Sequence, residues 1–166
     1  ECGIPYLQGL MNGEPGFAAT IMADKIAGLT ALYATTMDLF HRARTGQGCC
    51  IEAPMFESTV AFLLSEQLGG ETFVPALGPT GYDRLAAPNR KPYRTQDGFM
   101  AILPYNGAHW AAFFEIIGRA EFAQSPQVQD PVLRSQSVDS LYAIIAEVAQ
   151  TRTTAAWLES LRAADI

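Results

Sequence analysis

From Thr20 to Arg44 the chain runs without a proline and then meets Thr45-Gly46-Gln47-Gly48, a boundary that constrains the fold more than any other feature. Met22, Ile26, Leu29, Tyr33, Met37 and Phe40 recur at spacings of three and four over an alanine-rich background, which predicts one long helix over residues 20–44. Arg42 and Arg44 stand in its last turn, where cations meet unpaired carbonyls, and Gly46 and Gly48 suit the positive backbone angles that close a helix. A helix with one apolar stripe needs a surface to bury it against.

The glycines are followed by a short predicted strand at residues 49–53 and a second apolar helix over residues 55–68. Val60, Leu63, Leu64 and Leu68 lie on one side of that helix, with Gly69-Gly70 as its stop. Residues 1–19, broken by Gly9, Gly13, Pro15 and Gly16, read as an irregular lead-in. Residues 69–92 carry Pro75, Gly78, Pro79, Gly81, Pro88 and Pro92 with little periodicity. That is long for a connection inside one domain, so an internal boundary with a linker or functional loop is placed there.

A hairpin comes next, with Tyr93-Arg94-Thr95-Gln96 and Phe99-Met100-Ala101-Ile102-Leu103 joined through Asp97-Gly98, a dipeptide favoured where both turn residues take positive φ. Three helices are predicted after it, over residues 107–117 up to Gly118, 138–150 after Ser137, and 154–163 after Thr153. Trp110, Phe113, Phe114, Leu141, Ile145, Trp157 and Leu161 form the predicted core of this second part. The fold class is therefore helix-rich α+β, divided into residues 1–55, 56–90 and 91–166. The closing Asp165-Ile166 carries no terminating signal and reads as a chain that was cut.

With 49% hydrophobic and 17% charged residues the chain is long enough for an ordinary core. A net charge of −6 removes any electrostatic reason to expect nucleic acid, whose binding depends on neutralising phosphates. No run approaches the roughly 20 apolar residues of a membrane helix, and Glu1-Cys2 does not begin a signal peptide, so a cytoplasmic protein is expected. Three cysteines cannot all pair internally, and neighbours Cys49 and Cys50 would face opposite sides of a strand, which favours reduced core thiols.

Taken in order, Asp24-Lys25-Ile26-Ala27-Gly28, the Arg-x-x-Thr-Gly-x-Gly turn at 42–48, the Tyr-Arg-Thr-x-Asp-Gly hairpin at 93–98, Trp110 and Gly118-Arg119 resemble the class III CoA-transferase family. That family includes carnitine and bile-acid CoA-transferases, formyl-CoA transferase and alpha-methylacyl-CoA racemase. The resemblance implies a Rossmann-like large domain linked to a smaller α+β domain, in two interlocked subunits. Residues 1–55 then look like a slice of the large domain (long helix, strand), 56–90 like the linker helix and loop, and 91–166 like the small domain. The family's amino-terminal half, which holds most of its CoA-binding surface, has no counterpart.

The resemblance also implies a reaction. In the transferases an aspartate attacks an acyl-CoA thioester, giving a mixed anhydride and then an enzyme-bound CoA thioester; the racemases exchange an α-proton with acid and base residues. The family aspartate stands eight residues before the glycine that Gly9 resembles, which places Glu1 at the catalytic position with one extra methylene. Gly78, Gly81 and Tyr82 fall where formyl-CoA transferase has a glycine-rich loop over its active site. CoA or an acyl-CoA is the implied substrate, no cofactor is bound tightly, and a homodimer is the implied assembly.

Other candidates have plain structural readings. Asp24 suits the positive end of a helix dipole. His41 and His109 lack the Cys, Asp or Glu neighbours of a metal site and read as surface or helix-end residues. Arg42, Arg44, Arg90 and Lys91 offer charge to a CoA phosphate or simply sit in solvent. Two functions follow: a truncated CoA-transferase homologue, or a non-catalytic dimerisation or binding module that keeps the fold.

Overall fold

The computed structural model describes residues 2–166, apart from the side chains of Met11 and Asn12. It divides into two compact units, one ending at Tyr82 and the other spanning Asp83–Ile166.

In the first unit the lead-in is not irregular: α1 spans Ile4–Asn12 with Pro5 in its first turn and closes at Gly13, where φ is 82°. Proline belongs there because the amide it lacks has no intrahelical partner anyway. Gly9 is no breaker. A Cβ on it would lie 3.0 Å from the nitrogen of Pro15, so its bareness lets the returning chain pack on the helix.

Helix α2 spans Met22–Thr45 and ends as its sequence predicts, with Gly46 at φ 76° and its N–H donating to the Arg42 carbonyl. Gly48 does not take a positive φ. No strand forms at residues 49–53. A strand is completed by a neighbour's N–H and C=O groups, and among the described residues only Tyr93–Arg94 and Phe99–Met100 pair as strands. Instead the backbone N–H of Cys49 donates to Asp38 Oδ1 at 3.0 Å, which folds the chain back on α2. Helix α3, Met55–Gln67, packs against α2.

The second unit begins with a single helical turn, α4 (Asp83–Ala86), and a hairpin smaller than predicted. Strands β1 (Tyr93–Arg94) and β2 (Phe99–Met100) pair antiparallel, Tyr93 opposite Met100 and Arg94 opposite Phe99. Residues 95–98 make the turn, and neither Asp97 nor Gly98 has a positive φ, contrary to the two-residue turn that the dipeptide suggests. The Asp97 carboxylate is engaged elsewhere, accepting from the backbone N–H of Thr154 at 2.8 Å.

Helices α5 (Gly107–Ile116), α9 (Val138–Ala149) and α10 (Thr154–Ala163) stand where the sequence put them. The seven predicted core residues are all buried, joined by Tyr93, Ile102, Val128, Tyr142 and others. Trp110 lies edge-on to Phe113, with centroids 6.0 Å apart, and Phe113 stacks on Trp157 at 6.2 Å. Between α5 and α9 run three short helices, α6 (Ala120–Ala123), α7 (Pro126–Gln129) and α8 (Pro131–Gln136). Ser125-Pro126 and Asp130-Pro131 announce the last two, and the Asp130 carboxylate accepts from the N–H groups of Val132 and Leu133.

Candidate functional site

Of the residues that the sequence nominates, Glu1 lies outside the described residues. Gly78, Gly81 and Tyr82 belong to a closed loop in the first unit. Its base is the 3₁₀ turn Gly69–Thr72 at the end of α3. Gly70 N–H donates to the Pro79 carbonyl at 3.0 Å, Leu77 N–H to the Gly70 carbonyl at 3.0 Å, and Gly81 N–H to the Gln67 carbonyl at 2.7 Å.

Glycine is required where those strands of chain cross. A Cβ on Gly70 would fall 2.3 Å from the Gly78 nitrogen, and one on Gly69, already at φ 52°, would fall 2.7 Å from the Gly81 oxygen. Gly81 itself sits at φ 108°. The loop is thus a fixed, hydrogen-bonded return rather than a loose linker, and it leaves Tyr82 exposed at its end.

In the same unit, α2 and α3 leave a groove of about 580 Å³ lined by Ile26, Leu29, Thr30, Tyr33, Ser58 and Phe62. No residue of α2 is buried. Leu29, Tyr33, Met37 and Phe40 of the predicted stripe remain exposed, as does Phe62 across the groove.

The remaining candidates have separate places. Asp24 lies in the first turn of α2 and Arg42 and Arg44 in its last, with the Arg44 guanidinium over the Phe40 ring at 5.6 Å; Arg90 and Lys91 belong to the second unit. His41 is exposed. His109 is a helix-start residue whose Nδ1 accepts from the Tyr105 N–H and whose own N–H donates to the capping Asn106 side chain. The cysteines are not core thiols: Cys49 and Cys50 are exposed and Cys2 half-buried, because the strand that would have buried the pair is not formed. A hydrogen bond to Asp38, followed by desolvation, pushes the Cys49 thiol above its ordinary range, away from a thiolate nucleophile.

Among the described residues no group of three or more His, Cys, Asp or Glu is placed to hold a metal ion, and no helix is long and apolar enough to cross a membrane. Arg84, an isolated arginine in a proline-rich stretch that carries no motif, donates from Nε to the Tyr142 hydroxyl at 2.9 Å.

Comparison with known proteins gives this geometry its context. The chain is 30% identical to the succinyl-CoA–L-malate CoA-transferase beta subunit of Chloroflexus aurantiacus, over 95% of this chain and 40% of that protein. It is 26% identical to the acetyl-CoA:oxalate CoA-transferase of Acetobacter aceti, over 99% of this chain and 42% of that protein. It therefore spans about two fifths of the length of these relatives.

In fold it is similar to the crystal structure of Rv3272 from Mycobacterium tuberculosis, with a TM-score of 0.68 at 22% identity, covering 92% of this chain and 39% of that one. A CAIB/BAIF family protein from Brucella suis aligns with a TM-score of 0.61 at 23% identity, covering 96% of this chain and 42% of that one. The family model for CoA-transferase family III matches residues 1–166, and the chain belongs to that family.

Proposed function

We propose that this chain serves transfer of CoA between an acyl-CoA and a carboxylate, as the portion of the family fold that carries the small domain and the helices leading into it. The family match along the whole chain carries this reading. Short acyl-CoA donors and dicarboxylate acceptors are the proposed substrate class, from the succinyl-CoA, malate, acetyl-CoA and oxalate in the relatives' names.

In the proposed reaction a carboxylate oxygen, assigned to Glu1, attacks the thioester carbonyl carbon. The C–S bond breaks, CoA leaves as thiolate, and a mixed anhydride forms. The thiolate then attacks the enzyme-side carbonyl, which expels the first acid and leaves an enzyme-bound CoA thioester. The acceptor carboxylate reverses both steps and departs as the new acyl-CoA. The rigid return at Gly69–Tyr82 is the proposed wall of this site, with Gly78 and Gly81 approaching by backbone and Tyr82 supplying a ring. Residues 1–55 would then contribute a slice of a Rossmann-like large domain.

The test is an exchange assay of the chain with acetyl-CoA or succinyl-CoA and a panel of dicarboxylates, read by mass spectrometry. Transfer that disappears in Glu1→Gln supports the reading; transfer unchanged in Glu1→Gln removes Glu1 from it; and absence of transfer in every pairing argues for the second reading.

That second reading is a non-catalytic dimerisation or binding module. The exposed apolar faces of α2 and α3 favour it, since a contiguous apolar patch usually marks an interface. A second copy is the proposed partner in either case.

A further inference from the structure

Among the described residues every buried hydrophobic side chain lies between Ala87 and Leu161, in the second unit, while most of the large hydrophobics left exposed lie at or before Tyr82. The first unit therefore carries apolar surface that its own packing does not cover.

That surface has two complementary shapes. One is concave, the groove between α2 and α3. The other is convex: Phe73-Val74-Pro75-Ala76-Leu77 forms the tip of the return that follows α3, with Val74 100% exposed, Leu77 74% and Phe73 54%. The tip is held out by its base, where Gly70 N–H bonds the Pro79 carbonyl and Gly81 N–H the Gln67 carbonyl. A projection fixed in advance loses little freedom when it docks.

Charge selects where a copy of the chain can meet another. At a net charge of −6 two copies repel, so contact favours surfaces without carboxylates. From Thr72 to Tyr82 the loop holds no charged residue, and every residue that lines the groove is uncharged.

One helix carries both shapes. The groove takes Ser58, Ala61 and Phe62 from α3, and the loop leaves α3 past Gln67, which lies about 8 Å beyond Phe62 along the helix axis. A two-fold rotation about an axis crossing α3 in that interval exchanges the two positions along the helix. Each tip then meets the groove of the other copy, and two identical contacts close the pair.

We infer that two copies of this chain associate by each seating the tip Phe73–Leu77 in the other's groove between α2 and α3. The inference rests on the second-copy reading and deepens it by naming the surfaces; it does not depend on the proposed transfer reaction.

Sedimentation velocity over a concentration series tests it with the chain, the double variant Val74→Asp with Leu77→Asp, and Val132→Asp, which alters an exposed hydrophobic of the second unit. The dissociation constant of the pair should rise at least tenfold in the double variant and stay within twofold in Val132→Asp. Both tip side chains stand in solvent, so the double variant should keep the circular dichroism and Tm of the unaltered chain. Independently, p-benzoylphenylalanine placed at position 74 and photolysed in an equal mixture of isotopically light and heavy chains should give mixed-isotope cross-links to residues 26–33 and 58–62. A pair whose dissociation constant is unchanged in the double variant, or whose cross-links from position 74 fall outside the groove or within one copy, overturns the inference and leaves the second copy standing. A chain that stays monomeric overturns both.

Discussion

Asp97 and Thr154, separated by 57 positions, are joined twice: Asp97 Oδ1 accepts from the Thr154 N–H and from its hydroxyl, each at 2.8 Å. The Thr95 hydroxyl adds a third bond to the same oxygen at 3.1 Å. The hairpin turn thereby satisfies an orphan amide at the start of α10, beside the cap that Thr153 provides to Ala156.

Asp97→Ala should lower the Tm of the chain by a few degrees, the size of a lost helix cap, and Asp97→Asn by less. Hydrogen bonds from Thr154 hold the Asp97 carboxyl below its usual 3.8. Because the folded value is the lower one, its contribution is present above the unfolded value and is lost as pH falls through the folded value. Melting curves between pH 6 and pH 2.5 should show an acid-dependent loss that Asp97→Ala shares less; parallel curves would contradict the coupling.

Trp157 joins α10 to the rest of the core. Its indole N–H donates to the Ala149 carbonyl at 2.9 Å, and the Arg152 guanidinium lies 4.8 Å from its ring. Trp157→Ala should cost about 3–5 kcal/mol. Trp157→Phe, which strands a buried carbonyl, should cost about 1–3 kcal/mol. Urea unfolding followed by the fluorescence of the remaining Trp110 measures both.

Gly70 and Gly78 face each other, yet they should respond unequally. A methyl on Gly70 would overlap the Gly78 backbone at 2.3 Å, whereas one on Gly78 meets only the Gly70 Cα at 4.0 Å. Gly70→Ala should open the loop to limited proteolysis between residues 70 and 82; Gly78→Ala should not. Equal cleavage of the two variants would contradict the packing described.

The exposed groove between α2 and α3 leads to a test of self-association. Leu29→Glu combined with Phe62→Ser should shift the chain toward monomer in sedimentation velocity, since both side chains line the groove. A wild-type chain that sediments as an 18.0 kDa monomer at micromolar concentration would remove the proposed homodimer.

Long-period features were legible in the sequence. The closing glycine of α2, the helices α5, α9 and α10, and all seven named core residues follow from periodicity and capping, which are local. What was misread depends on distant partners. Residues 49–53 have a strand's composition and, among the described residues, no strand to pair with, and Cys49 and Cys50 are exposed. Asp97-Gly98 looks like a two-residue turn, but Thr154 decides its conformation. Gly9 reads as a breaker and is a contact for Pro15. The glycines of residues 69–82 were legible, though not the reason for them, since the crossing at Gly70 and Gly78 appears only in three dimensions.

The most direct measurement is a thermal titration of the chain with CoA and with acetyl-CoA. A bound thioester at 100 times its dissociation constant adds about 2.7 kcal/mol to the folded state, and the account predicts a saturable rise in Tm with either ligand. No shift with either up to millimolar concentration would contradict it.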